Sequence, residues 1–269
     1  MKRSGLASVV AVVALFVPLC LAAQQVPPPP EQEPAVQPPP ERTPREQAEL
    51  RGDVMMARKR YSEAIEVYEE ILKQEPRNAA LLNKVGIAYQ HLNNFKLSRR
   101  YYERAHRADR TLVNAVNNLG TLYYQQKNYR RAEREYRRAL KINPQVAVVH
   151  SNLGHALFAR KKYEQALESF IRALAIDPQL FERRSQSGTI VQNPVAGERA
   201  TFFYVLAKSY AMMGDAERCA FYLRRALDEG YLKLAELETD PAFAAVRESP
   251  LIQQILYPEL VQPPVPPGN

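Results

Sequence analysis

The chain has 269 residues and a formal charge of +8, enough length for one large domain or one extended array. Two cysteines, Cys20 and Cys219, exclude a disulfide framework or a cysteine-built zinc site, and His91, His106, His150 and His155 are too few and too scattered for a metal cluster. The charge is uneven: +2 over residues 1–23, −2 over 24–44, +10 over 45–180 and −2 over 181–269.

The chain opens with Lys2 and Arg3, an apolar run from Leu6 to Leu21, and Ala22-Ala23. This is the layout of a secretory signal peptide over residues 1–23, cut after Ala23. The competing reading is an uncleaved anchor, but the run is short for a full span, which needs about 20 residues. Leu19 before Cys20 argues against a lipid-modified cysteine. Export to a periplasm or beyond is therefore expected. Cleavage would leave Cys219 as the one thiol, expected to be a small buried hydrophobe. Residues 24–44 carry proline blocks at 27–30 and 38–40, which fix φ and give an extended spacer.

Beyond the spacer the chain repeats itself. Gly52, Gly86, Gly120 and Gly154 stand thirty-four residues apart. Three residues after each come Met55, Tyr89, Tyr123 and Leu157; twelve after, Ala64, Ser98, Ala132 and Ala166; sixteen after, Tyr68, Tyr102, Tyr136 and Phe170. Pro76, Pro144 and Pro178 close three units, and Arg110 takes that place in the second. In the third unit apolar or small residues fall at 129, 132, 136, 139 and 140, one face of a helix that proline then stops.

This pattern resembles the tetratricopeptide repeat family, in its exported bacterial form, over residues 45–180. The resemblance implies an all-α, right-handed α-solenoid of stacked helical hairpins. It assigns four repeats: 45–78, 79–112, 113–146 and 147–180. One hairpin cannot bury its apolar face alone, so each copy becomes the next copy's core. The resemblance also gives the mid-helix glycines a purpose: a close approach of two antiparallel helices where glycine meets the later small residue.

After Pro178 the next unit is late. Residues 181–199 read as an inserted loop with Ser-Gly, Asn-Pro and Ala-Gly turn signals. The phase resumes at Ala207, Tyr210 and Cys219, giving a degenerate fifth repeat over 200–232. Residues 233–257 read as capping helices started by Asp240-Pro241 and Ser249-Pro250, and 258–269 as a proline-rich tail.

No nucleophile elbow, phosphate-cradling glycine loop, HExxH or CxxC is present. The chain reads as non-catalytic and without a cofactor. The resemblance puts the first helix of each hairpin on the concave side. That selects Asn83, Lys84, Ile87, Asn117, Asn118, Thr121, Tyr124, Ser151, Asn152, His155 and Phe158 as a groove for a protein or an extended peptide segment. Asn118 and Asn152 are equivalent positions. Their amides both donate and accept, so they either pair with a peptide backbone or brace neighbouring helices. A lysine–arginine clamp for a terminal carboxylate is not expected: Lys84 is present, but Asn114 and Asn118 stand where cations would be needed.

From Lys96 to Lys141, thirteen Lys/Arg face four carboxylates. The family places most of them on the convex side. Arg131 with Glu135 and Glu133 with Arg137 have helical pairing distance, while Arg130, Arg134 and Arg138 form a like-charged row. This face is either a solvated exterior or a contact for an anionic envelope or membrane surface. The export signal argues against nucleic acid. A protein-holding scaffold of the bacterial envelope is the expected role, as a monomer or weak oligomer.

Overall fold

The computed structural model describes residues 42–181, 198–231 and 235–258. The predicted signal peptide, most of the proline spacer, most of the 181–199 insertion and nearly all of the tail lie outside them. Among the described residues every regular element is helical. Five antiparallel hairpins follow one another: α1 (Pro44–Ala57) with α2 (Tyr61–Gln74), α3 (Ala79–His91) with α4 (Phe95–Ala108), α5 (Val113–Gln125) with α6 (Tyr129–Ile142), α7 (Ala147–Ala159) with α8 (Tyr163–Ile176), and α9 (Arg199–Met212) with α10 (Ala216–Asp228). A short α11 (Glu236–Thr239), a 3-10 turn at Pro241–Phe243 and α12 (Pro250–Leu256) close the array against α9 and α10.

Local chemistry sets the helix ends. Thr43 and Glu46 form a capping box, with Glu46 N–H donating to Thr43 Oγ1 at 3.2 Å and Thr43 N–H to the Glu46 carboxylate at 2.8 Å. Asn78, Asn94, Asn128 and Asp215 each accept a backbone N–H at the start of α3, α4, α6 and α10. Asp240 caps a single 3-10 turn rather than a longer helix. Ser249 makes no side-chain cap, so Pro250 alone marks the start of α12.

The glycines do make room, but for a different neighbour than the small residue expected. A Cβ on Gly52, Gly86, Gly120 or Gly154 would stand 2.4–2.6 Å from the ring of Tyr68, Tyr102, Tyr136 or Phe170. The aromatic side chain sixteen residues on occupies that space. Three of these rings are then anchored through their hydroxyls: Tyr68 to Asp53 at 2.6 Å, Tyr102 to Gln90 at 2.6 Å and Tyr136 to Thr121 at 3.2 Å. Phe170 has no hydroxyl. There His155 packs edge-on to it, with ring centroids 5.4 Å apart.

Candidate functional site: the inner helix row and the outer basic face

The first helices of neighbouring hairpins touch: α3 meets α5, and α5 meets α7. Side-chain amides cross these seams. Asn118 donates to Asn83 at 3.1 Å, Asn152 to Asn117 at 3.1 Å, Asn117 to Asn118 at 3.3 Å and Gln90 to Gln125 at 2.9 Å. One continuous chain of amides thus runs Asn152–Asn117–Asn118–Asn83 through three hairpins.

This ladder lies inside the wall. Asn117, Asn118, Thr121, Ser151 and Asn152 have no exposed surface, and His155 and Phe158 are nearly as deep. Ten successive residues of α5, Ala115–Tyr124, are buried. The expectation that these side chains line an open groove is therefore corrected. An unpaired buried amide is expensive, and the cheapest partner for each is the amide thirty-five residues away. Bracing, not peptide pairing, is what the asparagines do here.

Asn83, Ile87 and Tyr124 are also buried. Lys84 stays half-buried, but its ammonium is occupied. It donates to Glu49 at 2.8 Å and to Asp53 at 2.7 Å. Burial pushes its pKa down, yet the two carboxylates win and hold it above the ordinary lysine value. His91 and Gln125 at the ends of α3 and α5 are exposed, and so are Ala80 and Asn114, one turn before Lys84 and Asn118 on the same helix faces. Sequence reasoning did not select Ala80 and Asn114 as contacts. Their signal was the same spacing, six residues before a glycine.

His155 stacks on Phe202 of α9 at 5.1 Å, and burial depresses its pKa to about 3. Cys219 is fully buried, and burial beside Asp215 pushes its thiol up to about 12. Such a thiol is protonated and inert at neutral pH. Among the described residues no three His, Cys, Asp or Glu side chains converge as a metal site would need.

The basic face lies on the second helices. Arg130, Arg134, Arg137, Arg138 and Lys141 are exposed along α6, over two buried carboxylates. Glu133 takes Arg137 at 3.0 Å, Arg160 of the next hairpin, and Lys162 at 3.9 Å. Burial raises its pKa, but the bonds from Arg137 and Arg160 outweigh it and hold the carboxyl below its usual range. The expected Glu133–Arg137 pair is present. The expected Arg131–Glu135 pair is replaced: Glu135 meets Arg134 and Arg138, each at 3.5 Å, and Arg131 lies over the Tyr123 ring at 5.7 Å. Arg138 also bonds His106 Nε2 of α4 at 2.6 Å.

Family models described as tetratricopeptide repeat match residues 47–111 and 117–180. Similar solved structures include "Crystal structure of MamA", at 19% identity over 66% of this chain and 93% of that one, TM-score 0.47. "MamA 41-end from Desulfovibrio magneticus RS-1" has 16% identity over 69% and 94%, TM-score 0.48. "YrrB: a TPR protein with an unusual peptide-binding site" has 18% identity over 71% and 89%, TM-score 0.45. No curated protein matches the sequence.

Proposed function

The chain is a tetratricopeptide repeat protein, and from that premise we propose that it is a non-catalytic scaffold holding a segment of a partner protein along its inner helix row. The observation that carries this reading is the buried amide chain Asn152–Asn117–Asn118–Asn83. It fixes three hairpins relative to one another. The inner edge at exposed Ala80 and Asn114 and half-buried Lys84 is then a preformed template, and a preformed surface loses little conformational freedom on binding. Lys84, already neutralised by Glu49 and Asp53, adds shape and hydrogen bonding rather than net charge. The protein works in the bacterial envelope, a reading supported by the Lys2-Arg3 start, the apolar run and Ala22-Ala23.

The test is site-specific photocrosslinking in the source organism, with probes at Ala80 and Asn114 and a third at Arg134 on the outer face. One discrete protein captured at both inner probes and not at Arg134 supports the scaffold. Capture at Arg134 alone refutes the inner-row reading. The mass of the mature protein tests signal cleavage: a chain starting at Gln24 supports it, and one that keeps Lys2 contradicts it.

A further inference from the structure

The outer face of α6 carries a feature that the fold does not require. Arg130, Arg134 and Arg138 are spaced four apart along it. The same three repeat positions hold Ser62, Glu66 and Glu70 in α2, Lys96, Arg100 and Arg104 in α4, and Glu164, Glu168 and Arg172 in α8. All four helices form at the same length. The positions therefore accept either sign, and like charges four apart are unfavourable in a helix. Packing does not explain why α6 collects cations.

An open cavity of about 500 Å³ lies on this face. Arg130, Arg134, Arg137, Arg138, Lys141 and Arg160 line it around one carboxylate, Glu133. Glu133 binds Arg137 and Arg160, while Glu135 and His106 hold Arg138. Several guanidinium groups are thus oriented before any ligand arrives, yet cations far outnumber carboxylates. Arg130 has no bonded partner among the described residues. Oriented guanidinium forks suit phosphate oxygens.

We propose that this cavity binds a soluble chain of linked phosphates. Arg130 to Lys141 spans eleven positions, about 16 Å of helix, too far for one phosphate to bridge. No aromatic side chain lines the cavity, so it lacks the stacking platform that nucleic-acid bases use. The large exposed apolar side chains among the described residues are Leu50, Val54, Leu92, Met212, Met213, Phe221 and Leu251. None is on α4 or α6, so nothing beside the cavity would enter a bilayer. Acidic rows bound the basic face, with Glu66 and Glu70 on α2 and Glu164 and Glu168 on α8.

Calorimetric titration of the protein with inorganic tripolyphosphate tests the site, with sulfate, single-stranded DNA and acidic phospholipid vesicles compared at equal ionic strength. The Arg130→Glu/Arg134→Glu variant installs what α8 carries at Glu164 and Glu168, so the helix should persist in circular dichroism. Arg130→Gln/Arg134→Gln serves if it does not. The expected result is selective tripolyphosphate binding, weakened about ten-fold or more in the variant, with a log–log salt slope shallower by about 1–2. Arg58→Glu/Arg77→Glu, equal in charge and away from the cavity, should keep most of the affinity. An equal loss in that control overturns the proposal, as does sulfate binding as tightly as tripolyphosphate. Tighter binding to vesicles or DNA overturns it too.

Discussion

Gly120 and Tyr136 show how a single residue sets a hairpin. A methyl on Gly120 would meet Tyr136 Cε1 at 2.6 Å, and the ring is pinned by its hydroxyl bond to Thr121. Gly120→Ala should cost about 1–3 kcal/mol by overpacking, read as a lower denaturation midpoint. The same change at an exposed helix site would be stabilising, so a gain would refute the ring-over-glycine packing. His155 makes a second prediction. Its ordinary pKa is about 6.5, but burial lowers it to about 3 in the folded chain. The unfolded chain therefore takes up a proton first. Stability from the neutral ring is full above pH 6.5 and drains as pH falls from about 6.5 toward 3. Burial depresses His91 and His106 in the same direction, with Arg138 also acting on His106. His155→Leu should flatten the acid-side fall in melting temperature, and an unchanged slope would show that His155 is not the dominant group. At this scale the glycine spacing was legible in the sequence, whereas the atom each glycine accommodates was not. The small residue at plus twelve and the aromatic at plus sixteen share one helix face, and only coordinates say which ring crosses the glycine.

At the scale of elements, the four hairpins share one turn. Lys59, Asn93, Lys127 and Lys161 all have φ of 57–61°, the left-handed region that lysine enters at a cost of about 1–2 kcal/mol. In the fifth hairpin Gly214 takes the left-handed conformation, with φ 76°. Lys127→Gly should therefore stabilise the chain by about 0.5 kcal/mol after the entropic loss of glycine is subtracted; a raised thermal midpoint would support this. Helices were readable because apolar spacing and proline stops are local signals. The fate of the asparagines was not, because two readings share one pattern. An amide at a fixed repeat position faces either the groove or the next hairpin. Which one depends on how stacked hairpins meet, and Asn83 meets Asn118, the residue after its repeat equivalent Asn117. The row of arginines was visible as charge, but not Glu133 and Glu135 beneath it. Glu133 is covered by Arg160 reaching over from the following hairpin, and Glu135 by Arg134 and Arg138 of its own helix.

For the molecule as a whole, a solenoid is stabilised between neighbours, so its ends matter differently from its middle. At the C-terminal end Phe243, Val246, Ile252 and Ile255 are buried against α9 and α10. Phe243 sits 5.9 Å from Tyr204 of α9, ring to ring, and Lys208 of α9 bonds Asp240 at 2.6 Å. These contacts cover apolar surface of the fifth hairpin. Phe243→Ala should remove about 3–5 kcal/mol from that end. In a globular domain with one core such a loss would be felt everywhere at once. In a chain of nearest-neighbour contacts it should fall on α9 and α10 and fade with distance. Amide hydrogen exchange separates the two cases: protection should drop in α9 and α10, stay near its original value in α3 and α4, and be intermediate in α7 and α8. A uniform loss across all hairpins would mean that the array unfolds as one cooperative unit.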